Sequence, residues 1–138
     1  DILVSKKKIA GILIQNLVVK NTITHSIIGI GLNVNQLTFD NYSPKATSLK
    51  AELNKHFILK EVQDVVLNSI QNRIKDYRKG LNSEYLDALF QRDRVSFFES
   101  RSQRFNGIIR GVTDRGLLMV ETESLIKTFY LKEIKMIF

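Results

Sequence analysis

The sequence predicts an α+β chain in two parts: a sheet with two helices, followed by a small all-β module. Three observations point there. A long apolar run, Ile9 to Val19, is followed across a short polar break by an alternating one, Thr22 to Asn35, as in a strand pair. Leu59, Val62, Val66, Ile70, Ile74 and Tyr77 then recur at helical spacing. From Arg94 onward the pattern becomes five short strands within about 45 residues, which suggests a small barrel.

Each element follows from its residues. Ile2-Leu3-Val4 is a short β-prone run, and Ser5-Lys6-Lys7 reads as a turn. Ile9 to Val19, rich in β-branched residues, suits a strand covered on both faces. Lys20-Asn21 marks a hairpin turn. Side chains alternate faces along the next strand. One face carries Ile28, Ile30, Leu32 and Val34; the other carries Gly29, Gly31, Asn33 and Asn35. Gln36 to Lys45 is a polar connection that includes Pro44. Ala46 to Lys55 reads as a short helix, with Thr47 or Ser48 as N-cap and Glu52 in its early turns. The helix from Leu59 to Lys79 is expected to stop at Gly80 and Asn82, and Ser83 to Phe90 gives a further turn or two. The short strands are Val95 to Phe98, Phe105 to Val112, Leu117 to Val120, Ile126 to Leu131 and Ile134 to Phe138. A turn, Thr113-Asp114-Arg115-Gly116, separates two of them. The boundary falls between residues 80 and 92, which gives domains 1–88 and 89–138.

The bulk numbers narrow the class. The 138 residues leave room for one ordinary domain or two small ones. An apolar fraction of 43% and a charged fraction of 25% are those of a folded globular protein. There is no cysteine, which removes disulfides and thiolate metal sites and fits a reducing compartment. The longest apolar run is too short to span a bilayer, no signal-peptide pattern opens the chain, and a cytoplasmic location without membrane is expected. The net charge of +7 favours anionic partners, although the lysines are dispersed and Lys6-Lys7-Lys8 is the only triplet. The chain opens on Asp1 and runs almost at once into a buried-strand pattern, as a fragment would.

Two features could carry chemistry. Glycine weakens a strand and often marks a close approach to the backbone. Gly29 and Gly31 on one face, followed by Asn33, would leave a flat floor with an amide at its edge, suited to an adenine or ureido group. A helix packed tightly on that face would explain the glycines equally well. Lys8 stands before an apolar strand, where a cation could reach a phosphate or carboxylate. It could equally be a solubilising flank, and position alone does not separate it from Lys6 or Lys7. Other candidates are weaker. His25 and His56 lack partners at metal-ligand spacing, and Glu121, Glu123 and Asp40 form no acid–base pair. Gly29-Ile30-Gly31 lacks the remaining residues of a phosphate-binding loop. Arg101, Arg104, Phe105 and Arg110 could form a basic aromatic patch of the kind that binds single strands.

Taken together, Asp1, Lys8-Ile9-Ala10-Gly11-Ile12-Leu13, Ile28-Gly29-Ile30-Gly31-Leu32-Asn33-Val34-Asn35 and Ala46-Thr47-Ser48-Leu49 resemble the biotin protein ligase family. The later segments Phe105-Asn106-Gly107, Asp114-Arg115-Gly116-Leu117-Leu118 and Glu133-Ile134 resemble the small SH3-like domain that closes these ligases. The resemblance implies the C-terminal half of a class II synthetase-like catalytic domain, a mixed sheet with helices, followed by an SH3-like β-barrel. It implies joining of biotin to ATP, giving biotinyl-adenylate and pyrophosphate. Transfer of biotin to a lysine of a carboxylase carrier domain follows, with a homodimer as a possible assembly. Lys8 matches the family's catalytic lysine, which contacts the biotin carboxylate and the attacked phosphate. Gly11, Leu13, Gly29 and Leu32 match positions around biotin, and Asn33 matches the asparagine near adenine. Asp1 matches the end of a Lys-Trp-Pro-Asn-Asp motif placed near the ATP phosphates and magnesium.

There are departures. The rest of that motif, and the glycine- and arginine-rich loop that wraps biotin and the adenylate, are not in the sequence. Gln15 stands where many members have glutamate, and Lys132 where a glycine often precedes the Glu-Ile pair. The isolated chain is therefore expected neither to make the adenylate nor to transfer biotin. The alternatives are a non-catalytic binding module built on a basic barrel, and a lipoate-attaching relative. Nucleic acid is not expected as a partner of this region.

Overall fold

The computed structural model describes residues 1–40, 44–75, 81–130 and 132–137. The chain divides into two compact units, Asp1–Asn72 and Arg73–Phe138, and each is described by itself.

The first unit holds β1 (Ile2–Val4), β2 (Lys7–Val19) and β3 (Thr22–Leu32) in an antiparallel sheet of order β1-β2-β3. Lys20 and Asn21 both adopt left-handed φ, 49° and 63°, the backbone that a two-residue hairpin turn requires. The hairpin sets Gly11 opposite Gly31, Ile12 opposite Ile30, Leu13 opposite Gly29 and Ile14 opposite Ile28. The expected mixed sheet is antiparallel throughout its named strands, because both connections are tight turns. Among the described residues of this unit, parallel pairing enters at the bridge of Lys8 with Ala46.

β3 ends at Leu32 rather than Asn35, because the next residues bond elsewhere. The Asn33 amide still donates to the Ile9 carbonyl of β2 at 2.9 Å, but the Asn33 carbonyl accepts from the Leu49 amide at 3.1 Å and the Val34 carbonyl from the Lys50 amide at 2.8 Å. This draws the chain into α1 (Leu49–Leu53). Ser48, not Thr47, is the N-cap: its Oγ accepts from the Ala51 amide at 3.1 Å and donates to the Gln36 carbonyl at 2.5 Å. Asn54, at φ 50°, ends the helix. α2 runs Leu59–Lys75; the continuation expected through Tyr77 to Lys79, and the stop at Gly80, lie outside the described residues.

One expectation is corrected. β2 is not covered on both faces: Ile9 and Ala10 are buried, whereas Ile12 to Val19 are exposed. β1 reaches only as far as Ala10, and α2 approaches β3 on a single face, so the apolar run outlasts its cover.

The second unit contains α3 (Leu81–Ala88), which includes Asn82, and five strands. They are β4 (Val95–Ser100), β5 (Gln103–Val112), β6 (Leu118–Glu121), β7 (Ile126–Phe129) and β8 (Lys135–Ile137). Leu131 and Phe138 lie outside the described residues. The sheet order is β7-β6-β5-β4-β8. Phe98, Ile109 and Val120 form its core, with Phe105, Phe129 and Met136 packed around them. Gly107 is required there, since a β-carbon would stand 2.5 Å from Val120 Cγ1.

The expected barrel is not closed. No strand pair joins β7 to β8 among the described residues. The sheet nevertheless curls. The Phe105 and Phe129 rings lie 6.2 Å apart, although register sets Phe129 opposite Leu118 and Leu118 opposite Val112, which in a flat sheet is about 20 Å along β5 from Phe105.

Candidate functional site

Lys8 is held by its main chain on both sides. β1 pairs Leu3 with it on one side. On the other, its amide donates to the Lys45 carbonyl at 2.7 Å, and its carbonyl accepts from the Thr47 amide at 2.8 Å. Residues 45–47 thus take the place beside β2 that β3 vacates.

The register of β1 against β2 slips at this point, from Leu3 opposite Lys8 to Ile2 opposite Ala10. Ile9 is the extra residue of a β-bulge. Residues 8 and 11 would face opposite sides of a regular strand; a bulge breaks that alternation and re-aims side chains. Lys8 accordingly reaches over Gly11, and a β-carbon there would lie 3.6 Å from Lys8 Nζ and 3.5 Å from Asp1 Oδ1. The ammonium and the Asp1 carboxylate form an ion pair at 2.7 Å, with side chains 40% and 48% exposed. At that exposure the pair adds little stability, about 1 kcal/mol at most. A ligand's anion can therefore replace the carboxylate at small cost.

Beside this pair lies a bare floor. Gly11, Gly31, Leu13 and Gly29 share one face of the sheet by register. A β-carbon at Gly31 would meet nothing within 4 Å, and one at Gly29 only the Leu13 carbonyl oxygen at 3.8 Å. The packed-helix explanation of these glycines is thereby excluded for this chain's described residues: the face is open.

The structure thus brings together Asp1, Lys8, Gly11, Leu13 and Gly29. It places Leu32 otherwise. Leu32 pairs with Ala10 and shares the opposite face with Ile28, Ile30 and Val34, where they and α2 line a cleft of about 410 Å³. Leu32 can meet a ligand on the glycine face only through its main chain. Asn33 is partly engaged, donating from Nδ2 to the Thr47 carbonyl at 3.0 Å. Asn35 is tied at both ends of its amide, exchanging two hydrogen bonds with the Phe57 main chain at 2.8 and 3.0 Å. The carboxamides expected to edge the floor are tied to the backbone that leaves it.

The sequence reading missed a cluster next to Lys8. Thr47 Oγ1 donates to Glu52 Oε1 at 2.5 Å, and Lys7 Nζ lies 3.0 Å from the same oxygen. The Thr47 hydroxyl, and after it the Lys7 ammonium, hold the Glu52 carboxyl below the usual carboxylate range. The only signal in the sequence was an acidic residue early in a short helix, which capping alone explains.

One other expectation falls away. Arg104 pairs with Glu99, Arg110 pairs with Asp93 and Glu121, and Phe105 stacks inward on Phe98. No basic aromatic patch is assembled from them. Among the described residues, no group of three or more His, Asp or Glu side chains could hold a metal ion. Asp1 offers magnesium one carboxylate, which fits only an ion that arrives on substrate phosphates. No helix among the described residues is long and apolar enough to cross a membrane.

No family model matches the sequence. Two curated relatives do: the bifunctional ligase/repressor BirA of Bacillus spizizenii and that of Bacillus subtilis, each 30% identical over 99% of this chain. The chain spans 44% of their length. Among solved structures, the apo biotin protein ligase of Aquifex aeolicus superposes with a TM-score of 0.74. It is 23% identical, over 96% of this chain and 60% of that one. The same ligase in complex with biotin and ATP gives 0.70 at 24% identity, over 95% and 56%. By sequence and by fold, the chain is similar to the C-terminal region of biotin protein ligases.

Proposed function

We propose that this chain carries the lysine side of an adenylate-forming site, in a protein that activates biotin with ATP and transfers it to a lysine of a carboxylase carrier domain. The observation that carries the reading is the Lys8 ammonium beside an uncovered floor of Gly11, Gly31 and Gly29. The relatives' identity as ligases supports it.

In the first step a biotin carboxylate oxygen attacks the α-phosphorus of ATP, and the bond to the β-phosphate breaks to release pyrophosphate. Both reacting groups are anionic. Lys8 is the catalytic residue: its charge offsets their repulsion and the charge that develops at the α-phosphate. The glycines let a flat bicyclic ring lie against the main chain, and Leu13 gives that ring an apolar edge. Asn33 keeps its amide oxygen and one N–H for adenine. Asp1 holds Lys8 until substrate arrives, then faces the phosphates and their magnesium. In the second step the carrier lysine attacks the acyl carbon and AMP leaves.

The carrier domain, a cytoplasmic location, an SH3-like role for the curled sheet and a homodimer belong to this proposal. With one cation and one carboxylate on an open floor, residues 1–138 alone are expected not to turn over. Pyrophosphate release by the complete protein, dependent on both biotin and ATP, tests the reading. Activity with lipoate in place of biotin would overturn it.

A further inference from the structure

We infer that Thr47 and Glu52 are positioning residues for Lys8, an assignment that rests on the function proposed above. Thr47 is 2% exposed and its main chain bonds both ends of the site. Its amide donates to the Lys8 carbonyl at 2.8 Å, and its carbonyl accepts from Asn33 Nδ2 at 3.0 Å. Any shift of residue 47 therefore moves the proposed phosphate and adenine contacts together.

What fixes residue 47 is its own hydroxyl, donated to Glu52 at 2.5 Å. Helix capping does not account for this bond, because Ser48 fills the cap. The same carboxylate holds Lys7 in a separate ion pair, while the bulge at Ile9 aims Lys8 over the glycine floor. Lys6 lies in the turn before them. The clasp thus sets the main chain of Lys8 through Thr47.

The test uses the complete protein with Thr47→Val, Thr47→Ser, Glu52→Gln and, as a control, Lys6→Ala. Thr47→Val and Glu52→Gln are expected to lower kcat for biotin-dependent pyrophosphate release about tenfold, with KM for biotin moving less than about threefold. Thr47→Ser, which keeps the hydroxyl, should restore kcat to within about twofold, and Lys6→Ala should match the wild type. Amide hydrogen exchange gives a readout free of turnover. Exchange at Lys8 and Thr47 should quicken about tenfold in Thr47→Val and Glu52→Gln, while that at Ala51, bonded to the Ser48 cap, holds. Unchanged kcat, or unchanged exchange at Lys8, would overturn the assignment. A wild-type protein with no biotin-dependent turnover would sink the proposed function instead, and exchange would still decide whether Glu52 holds Lys8.

Discussion

Lys8 and Gly11 are three residues apart on one strand, yet the Lys8 ammonium lies over Gly11, 3.6 Å from where a β-carbon would stand. The bulge at Ile9 makes this possible, and the missing side chain at position 11 leaves the space. An alanine fits at ordinary contact distance; a branched side chain does not. Gly11→Val in the complete protein should therefore reduce biotin-dependent pyrophosphate release by about a hundredfold or more, as misplaced catalytic groups do. Valine favours strands, so its melting temperature should not fall. Loss of activity together with loss of fold would contradict this account of Gly11.

Gly107 is glycine for a different reason. A β-carbon there would come within 2.5 Å of Val120 Cγ1 and 3.1 Å of the Glu121 carbonyl oxygen. Gly107→Ala should destabilise the second unit by about 1–3 kcal/mol, the usual cost of overpacking. Urea unfolding followed in the second unit checks it; an unchanged midpoint would show that the sheet yields there.

Ser48 has no exposed surface and serves both α1 and the Gln36 carbonyl. Ser48→Ala should cost about 1–2 kcal/mol through the lost cap, and an unsatisfied carbonyl adds to this. The measurement is the shift in unfolding midpoint at constant m-value. A shift no larger than that of an exposed serine variant would refute it.

Acid should weaken the clasp at Lys8. The Thr47 hydroxyl first, and the Lys7 ammonium second, hold the Glu52 carboxyl below its ordinary value in the folded state. A depressed carboxyl stabilises the fold above the unfolded-state value, and that contribution disappears as pH falls through the folded-state value. The stability difference between wild type and Glu52→Gln should thus be present at neutral pH and shrink on acidification. A difference that stays constant to low pH would mean that the carboxylate's charge plays no part.

Periodicity exposed much of the architecture in the sequence. The hairpin at Lys20-Asn21, the α2 pattern and the short strands after Arg94 rest on local alternation and turn chemistry, which neighbouring residues determine. Register did more: once the turn was placed, Gly29 and Gly31 fell on one face and Leu32 on the other. Three things were not legible. The bulge at Ile9 depends on β1 and has no signature in β2 itself. The ties from Asn33 to Thr47 and from Asn35 to Phe57 join residues distant in sequence. The covering expected for β2 was inferred from composition, and an apolar run does not say whether its second face has a neighbour. Arg110 shows the same limit, since its partners Asp93 and Glu121 come from other segments.

The most direct test is biotin-dependent pyrophosphate release by the complete protein carrying Lys8→Ala, set against Lys6→Ala. If Lys8 supplies the charge at the attacked phosphate, Lys8→Ala should lower kcat by about a hundredfold or more, and Lys6→Ala should leave it within about twofold. Equal activity in Lys8→Ala and wild type would contradict the account.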